Sequence, residues 1–398
     1  MSAEPWSAAR ARIDGRRPDD GGFTLSRWCA RVSVDSDLPG LNELIAGLLG
    51  PYFPIVPGRD LDAVGVTVRR TERLPVASDD LEAVSRTPQL WLDEKGPRFV
   101  VLDHTPERAV LLRDMEADSD PVLITAERSG RIRIDVTDDG PGTRRAVVRL
   151  LTFLLCGQLH AAGVPVLHGS AVARDGQAVL IAGPTNAGKS TLAFLAATLA
   201  GWDFVSDDSL LAWRDGPGGP PRISGMPRRM GISVGSLLTH PDRARFERHP
   251  LRRYDGAPVG VLPTPPADAW SRETRVRLYC DVDEFAAVTG VALEQNATPT
   301  AVVLPTADPG MTGWHIEEAD DDDPLELHPT EGRNLRHYVD YLHLLPPREA
   351  DTRARADVLD ALRRLPRIRV RYGPDVNTDF PRFWNDVTAA LGLTAVRS

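Results

Sequence analysis

Lysine is almost missing from this 398-residue chain: Lys95 and Lys189 are two among 47 Lys and Arg side chains. Cysteine is scarce as well, with Cys29, Cys156 and Cys280 far apart and no C-x-x-C pair. That odd, scattered set argues against a disulfide framework or a structural zinc site and fits a reducing, cytoplasmic compartment. Aromatic residues make up 6% of the chain, and Trp28, Trp91, Trp270, Trp314 and Trp384 are spread out rather than grouped as a binding box. No apolar run has the length of a bilayer span; the longest, near residues 146–156, is interrupted by Arg149. The polar first 22 residues lack the apolar stretch of a secretion signal. A net charge of −9 gives no electrostatic basis for nonspecific attachment to nucleic acid or an anionic membrane. What remains, 42% hydrophobic and 26% charged, is ordinary for a globular protein, and the length predicts two domains.

The rarity of lysine makes its placement informative. Lys189 lies in GPTNAGKST, residues 183–191, which fits G-x-x-x-x-G-K-[ST] through Gly183, Gly188, Lys189 and Ser190. With this composition an accidental match somewhere in the chain has odds on the order of one in a thousand. An ammonium is a compact point charge that reaches between two phosphates, where the planar guanidinium fork does not. Residues 178–182 (AVLIA) read as a buried strand, and 190–200 as a helix stopped by Gly201. Strand, loop and helix aim backbone N–H groups and a helix N-terminus at an anion. The residues expected to hold a nucleoside triphosphate are Gly183, Pro184, Thr185, Asn186, Ala187, Gly188, Lys189, Ser190 and Thr191.

Residues 1–22 read as a flexible tail, and 23–140 as a β-rich domain. Hairpins are predicted at 90–102, around Lys95-Gly96, and at 121–136, around Ser129-Gly130, with a short helix at 41–49. The breaker Asp138-Asp139-Gly140-Pro141-Gly142 predicts a domain boundary, followed by a long amphipathic helix over 143–162. Strands are predicted at 166–173, 301–304 and 368–372, and helices at 333–345, 350–364 and 380–391. Within the acidic run 317–323, Asp320-Asp321-Asp322-Asp323 reads as a solvated loop, with recruitment of a metal or a basic peptide the alternative. His337 and His343 lack metal-ligand spacing and read as helix packing.

Asp207-Asp208 ends a short apolar run, with Asp207 18 residues past Lys189. That spacing accommodates one helix and a return strand, which puts both carboxylates at the sheet edge beside the loop. Phosphoryl transfer needs Mg²⁺ held by a loop hydroxyl and an acidic group, and an acceptor for the attacking hydroxyl's proton. Two adjacent carboxylates can divide these tasks. A solvated acidic turn is the alternative, since Asp pairs also occur at Asp19-Asp20 and Asp79-Asp80. His168, 15 residues before Gly183, comes alongside the loop if the chain turns at Asp175-Gly176; otherwise it is a packing residue.

The order His168-Gly169-Ser170-Ala171-Val172, the loop, the helix and Ser206-Asp207-Asp208 resembles the catalytic core of bacterial HPr kinase/phosphorylase. It resembles more closely the HPr-kinase-like proteins of peptide natural-product gene clusters. The likeness is clear over about residues 160–215, weaker to about 345, and absent from the first 140. It implies an α/β fold with a P-loop kinase core of HPr-kinase or phosphoenolpyruvate-carboxykinase type over 143–345. The β-rich domain over 23–140 is then the place for acceptor recognition, and 346–398 a helical extension. The resemblance implies ATP and Mg²⁺, with Lys189 and Ser190 on phosphates and metal, Asp207 as general base, His168 beside it and Asp208 supporting the metal. The implied activity is phosphotransfer to an alcohol group, of Ser or Thr in a peptide or small protein, or of a small molecule. A nucleotide-binding regulatory protein without transfer is the remaining reading. The family's Glu before Arg-Gly-Leu-Gly has no counterpart in 224–232 (SGMPRRMGI), which puts a second metal position and the reverse, phosphorylase reaction in doubt. One of Arg228 and Arg229 in that segment is a candidate to clamp the γ-phosphate or the substrate, with surface arginines the alternative. Expected partners are ATP and the hydroxyl acceptor, with no nucleic acid and no membrane; a homo-oligomer is left open.

Overall fold

The computed structural model describes residues 22–74, 89–91, 98–104, 108–113, 122–127, 129–216, 218–227, 229–248, 251–252, 258–259, 277–320 and 351–393. The predicted tail, the turn at Lys95-Gly96, Arg228, Asp321–Asp323, and the helix over 333–345 with His337 and His343 lie outside the described residues.

Apolar and β-branched runs give the N-terminal third its strands. The first are β1 (Phe23–Arg27), β2 (Ala30–Ser36), β3 (Ile55–Pro57) and β4 (Val64–Arg70). They are followed by β5 (Gln89–Trp91), β6 (Arg98–His104), β7 (Arg108–Arg113), β8 (Val122–Glu127) and β9 (Arg131–Val136). Together they form one sheet in the order β3-β1-β2-β4-β9-β8-β7-β6-β5. Both expected hairpin pairings are present, β5 with β6 and β8 with β9. Not foreseen are the parallel pairs β2 with β4 and β4 with β9, which make the sheet mixed. Helices α1 (Pro39–Leu48) and α2 (Pro141–Ala161) pack together and cover β2.

Composition places a domain boundary at 138–142, but the structure places it after Gly163, so α2 belongs to the first unit. The Asp-Asp-Gly-Pro-Gly segment is a helix start. Pro141 takes a first-turn position, where its missing N–H costs nothing. The Asp138 carboxylate accepts from the Thr143 hydroxyl at 2.6 Å, and Asp139 accepts from Gly40 N–H and Arg144 Nε, both at 2.9 Å. Those bonds tie the segment back to α1 rather than releasing it as a linker.

The second unit comprises the described residues from Val164 to 393, apart from Asp351 and Thr352. Its strands begin with β10 (Val166–Arg174), β11 (Gln177–Ala182), β12 (Asp203–Ser206), β13 (Ser209–Arg214), β14 (Pro221–Gly225) and β15 (Met230–Ser233). They continue with β16 (Leu251–Arg252), β17 (Pro258–Val259), β18 (Arg277–Cys280), β19 (Thr298–Ala307), β20 (Trp314–Glu318) and β21 (Arg367–Tyr372). The main sheet runs β14-β13-β10-β11-β19-β21-β20, with β12 also on β10; β11, β19 and β21 are parallel neighbours. A smaller sheet runs β15-β18-β16-β17. The helices are α3 (Lys189–Leu199), α4 (Val234–Leu238), α5 (Arg243–Glu247), α6 (Val282–Thr289), α7 (Thr352–Arg363) and α8 (Phe380–Ala390). Val358, Leu359 and Leu362 of α7 join Leu180, Val205 and Val302 in one apolar core, while α3 lies against β10, β11 and β12. The C-terminal stretch is therefore not an added extension: β21 is an internal strand and α8 packs on α3.

The protein is a mixed α/β structure with eight α-helices among the described residues. None of those helices is long and apolar enough to cross a membrane.

Candidate functional site

The apolar strand β11 delivers the chain to a turn that reverses within six residues into α3. Two glycines make this possible: Gly183 at φ +141° and Gly188 at φ +107°, backbone regions that L side chains rarely adopt. Gly188 has a second reason, since a Cβ there would strike the Tyr372 hydroxyl. That hydroxyl donates to the Gly188 carbonyl at 3.4 Å. The loop is closed by Ala187 N–H on the Pro184 carbonyl (3.1 Å) and held to the end of β19 by Ala307 N–H on the Ala187 carbonyl (3.0 Å). Lys189 is buried, and its ammonium donates to the Gly183 carbonyl at 2.7 Å and the Pro184 carbonyl at 2.9 Å. Pro184 and Thr185 are exposed at the tip, and Thr191 is buried behind it. The first N–H groups of α3 have no carbonyl four residues earlier within the helix, as at any helix start.

The hairpin of β10 and β11 pairs Gly169 with Ala182, so His168 arrives beside the loop as its spacing predicts. Across the other edge of β10, His168 pairs with Ser209. Between β12 and β13 lies a tight turn, closed by Ser209 N–H on the Asp207 carbonyl at 2.9 Å, with Asp208 at φ +72°. A positive φ at a non-glycine residue is strained, and such strain gathers at functional sites. The turn sends the two carboxylates apart. Asp208 stays 39% exposed and sits 3.5 Å from His168 Nε2, while Asp207 is buried.

Asp207 is surrounded by donors. Ser170 Oγ donates to Oδ1 at 3.1 Å and Gly231 N–H donates to Oδ2 at 3.1 Å, and the Ser190 hydroxyl is near enough to favour the charged form. Burial nonetheless pushes the Asp207 carboxyl above its ordinary range, helped by the charge of Asp208 and opposed by Ser190, Arg277 and the Gly231 amide. The start of α3 and the end of β12 are neighbours, so Ser190 lies near Asp207, and His168 stands beside Asp208.

Of the two expected arginines, one falls elsewhere and one is not described. Arg229 donates through Nε to Asp281 Oδ1 at 2.9 Å, a largely buried ion pair at the start of α6, which commits it away from the loop. Arg228 is not among the described residues. Three residues with no expected role join the site through the smaller sheet: Gly231, Arg277 and Tyr279. Gly231 pairs with Tyr279 across β15 and β18. Burial pushes the Tyr279 phenol up; Arg277 opposes this, and the charges of Asp207 and Asp208 add to it. The alternation Arg277-x-Tyr279 on a strand is visible in the sequence, but nothing local says which site that strand adjoins.

Ser190 and Asp207 supply hard oxygen donors suited to Mg²⁺. No group of three His, Cys, Asp or Glu side chains gathers as a metal site among the described residues. The chain matches no protein-family model, and no curated protein matches it.

Proposed function

We propose that the protein is an ATP-dependent phosphotransferase with an alcohol group as acceptor, on a P-loop core of HPr-kinase type. The observation that carries this reading is that β10 pairs Gly169 with Ala182 at the mouth of the lysine-bearing loop and His168 with Ser209 at the Asp207-Asp208 turn, which brings loop and carboxylates to one place. A loop hydroxyl and a nearby carboxylate just past a strand end are the kind of oxygen pair that phosphoryl transfer uses for its metal. Lys189 and the loop amides hold the β- and γ-phosphates. Ser190 and Asp207 would hold Mg²⁺, which when bound would supply charge neutralisation to the phosphates.

This exchanges the parts that the family resemblance assigns to the two aspartates. Asp207 is buried with both oxygens accepting from protein donors, whereas the Asp208 side chain is half-exposed, with His168 3.5 Å from Oδ1 and Ser209 Oγ donating to Oδ2 at 3.4 Å. A base must reach the proton it takes, and access favours Asp208. In the transfer, the acceptor oxygen bonds to phosphorus as the β–γ bridging P–O bond breaks. ADP leaves with that electron pair, and the hydroxyl proton passes to Asp208, with His168 beside it. The acceptor class, Ser or Thr of a peptide or small protein, rests on the resemblance alone.

The test is turnover with ATP and Mg²⁺ against panels of hydroxyl peptides and hydroxy-metabolites, read by mass. Asp208→Asn is expected to lower kcat by about two orders of magnitude with nucleotide affinity kept. Asp207→Asn is expected chiefly to raise the Mg²⁺ concentration needed. The opposite pattern restores Asp207 as the base. ATP binding with no phosphorylated product from either panel replaces the enzyme with a regulatory nucleotide-binding protein.

A further inference from the structure

A phosphotransferase of this kind needs a cation on the transferring group besides the loop lysine. Arg229 is engaged by Asp281, so it does not supply one. Arg277 stands differently. It is the first residue of β18, where Ser233 pairs with Arg277 and Gly231 with Tyr279. Residues two apart on a strand share a face, so Arg277 and Tyr279 lie on one side of the small sheet. A Cβ built on Gly231 would lie 3.3 Å from Tyr279 Cε1, 3.7 Å from Arg277 Cδ and 3.7 Å from Asp207 Oδ2. The arginine stem, the phenol ring and the buried carboxylate thus converge on one glycine, whose own N–H is bonded to that carboxylate.

Arg277 is only partly exposed, yet its guanidinium has no hydrogen-bond or ion-pair partner among the described residues. It feels the charge of Asp207 without bonding it. Ordering a long side chain and drawing its charge partly out of water costs free energy that ordinarily a partner offsets. A guanidinium offers five donors in a planar fork that matches phosphate oxygens.

We propose that Arg277 binds the terminal phosphoryl group of the nucleotide and, with Lys189, completes the cationic set around the transferred group. The proposal rests on the phosphotransferase reading and adds to it a residue 88 positions past the loop lysine.

The test is calorimetric titration of the full chain with AMP-PNP·Mg²⁺ and with ADP·Mg²⁺, for wild type, Arg277→Ala and Arg277→Lys. Wild type is expected to prefer the triphosphate analogue. In Arg277→Ala that preference should shrink about tenfold or more, the loss of a charge-assisted hydrogen bond or two, with ADP affinity within about twofold of wild type. Arg277→Lys should regain part of it, because a point charge replaces the fork. If Arg277→Ala does not fold, the lysine variant decides, and an unreduced preference in it overturns the proposal. An unchanged preference in Arg277→Ala, or equal weakening of both nucleotides, overturns it as well. A wild type that binds both nucleotides without preference removes Arg277 from the phosphate site and leaves the kinase reading standing. A wild type that binds neither sinks that reading and this proposal together.

Discussion

Gly188 carries two separate constraints, and they can be taken apart. Its φ of +107° strains any side chain, and its missing Cβ leaves room for the Tyr372 hydroxyl, which bonds the Gly188 carbonyl. Gly188→Ala should therefore destabilise the fold by about 1–3 kcal/mol for the backbone alone, with the steric conflict added. Tyr372→Phe removes the hydroxyl that the new methyl would meet. The double variant should then be more stable than the sum of the single losses predicts, because the residues touch. Urea unfolding of the four proteins measures this. Strict additivity would mean that the loop moves away from β21 and that the tyrosine does not set the glycine. The loop residues Gly183, Gly188, Lys189 and Ser190 were legible because their chemistry lies in nine consecutive positions. Asp207, Asp208 and His168 were legible as neighbours of that loop. The division of labour between the aspartates was not, since it depends on a turn with Asp208 at positive φ that sends adjacent side chains to different surroundings. Arg277 was not legible either, because its place is set by cross-strand pairing between β15 and β18.

Among the elements, α3 is anchored at its far end by a histidine that the site does not use. His240 follows α4 and is buried between Phe194 and Phe246, at ring distances of 5.3 and 5.4 Å. Its Nδ1 accepts from Asp242 N–H at 3.1 Å, which makes Nε2 the protonated nitrogen. Nε2 then donates to Thr198 Oγ1 at 3.0 Å, and that hydroxyl donates to the Phe194 carbonyl at 2.8 Å. The neutral ring is fully used, and a second proton would face an N–H. Burial accordingly holds the imidazole below its usual range, opposed by the charge of Asp242. The unfolded chain, with an ordinary histidine near 6.5, binds more protons than the folded one as pH falls below that value. The contribution is thus fully present above the unfolded pKa and is lost as pH falls from there toward the folded one. Wild type should show a falling denaturation midpoint between pH 7 and pH 5, read by tryptophan fluorescence in urea, and His240→Gln should show a flatter one. Parallel profiles would assign the acid sensitivity to other groups. The regular elements of this region were readable from period and stop signals, as with the helix ended near Gly201. The smaller sheet was not, because its strands are two to four residues long and pair across distant stretches of chain.

At the scale of the molecule, two units share the chain, and every candidate site residue among those described, from His168 to Tyr372, falls in the second. The boundary could not be read from composition because a helix start and a linker use the same residues: Asp, Gly and Pro serve both. Only the bonds of Asp138 and Asp139 back toward α1 and α2 distinguish them. The division has an energetic consequence. A ligand that binds only the folded second unit stabilises that unit by about 2.7 kcal/mol at a concentration of 100 Kd. Amides that exchange only through unfolding of that unit should then slow by about a hundredfold. Hydrogen exchange followed by mass spectrometry, with and without ADP·Mg²⁺ at that ratio, should show this slowing in β10, β11, β19 and α3. Peptides from β2, β4 and β9 should exchange at their original rate. Equal protection in both sets would mean that the chain opens as a single cooperative body, with ligand free energy shared across all of it. Protection confined to residues 183–191 would mean that the loop amides exchange by local opening, so that nucleotide binding tightens the loop without being felt by the sheet that carries it.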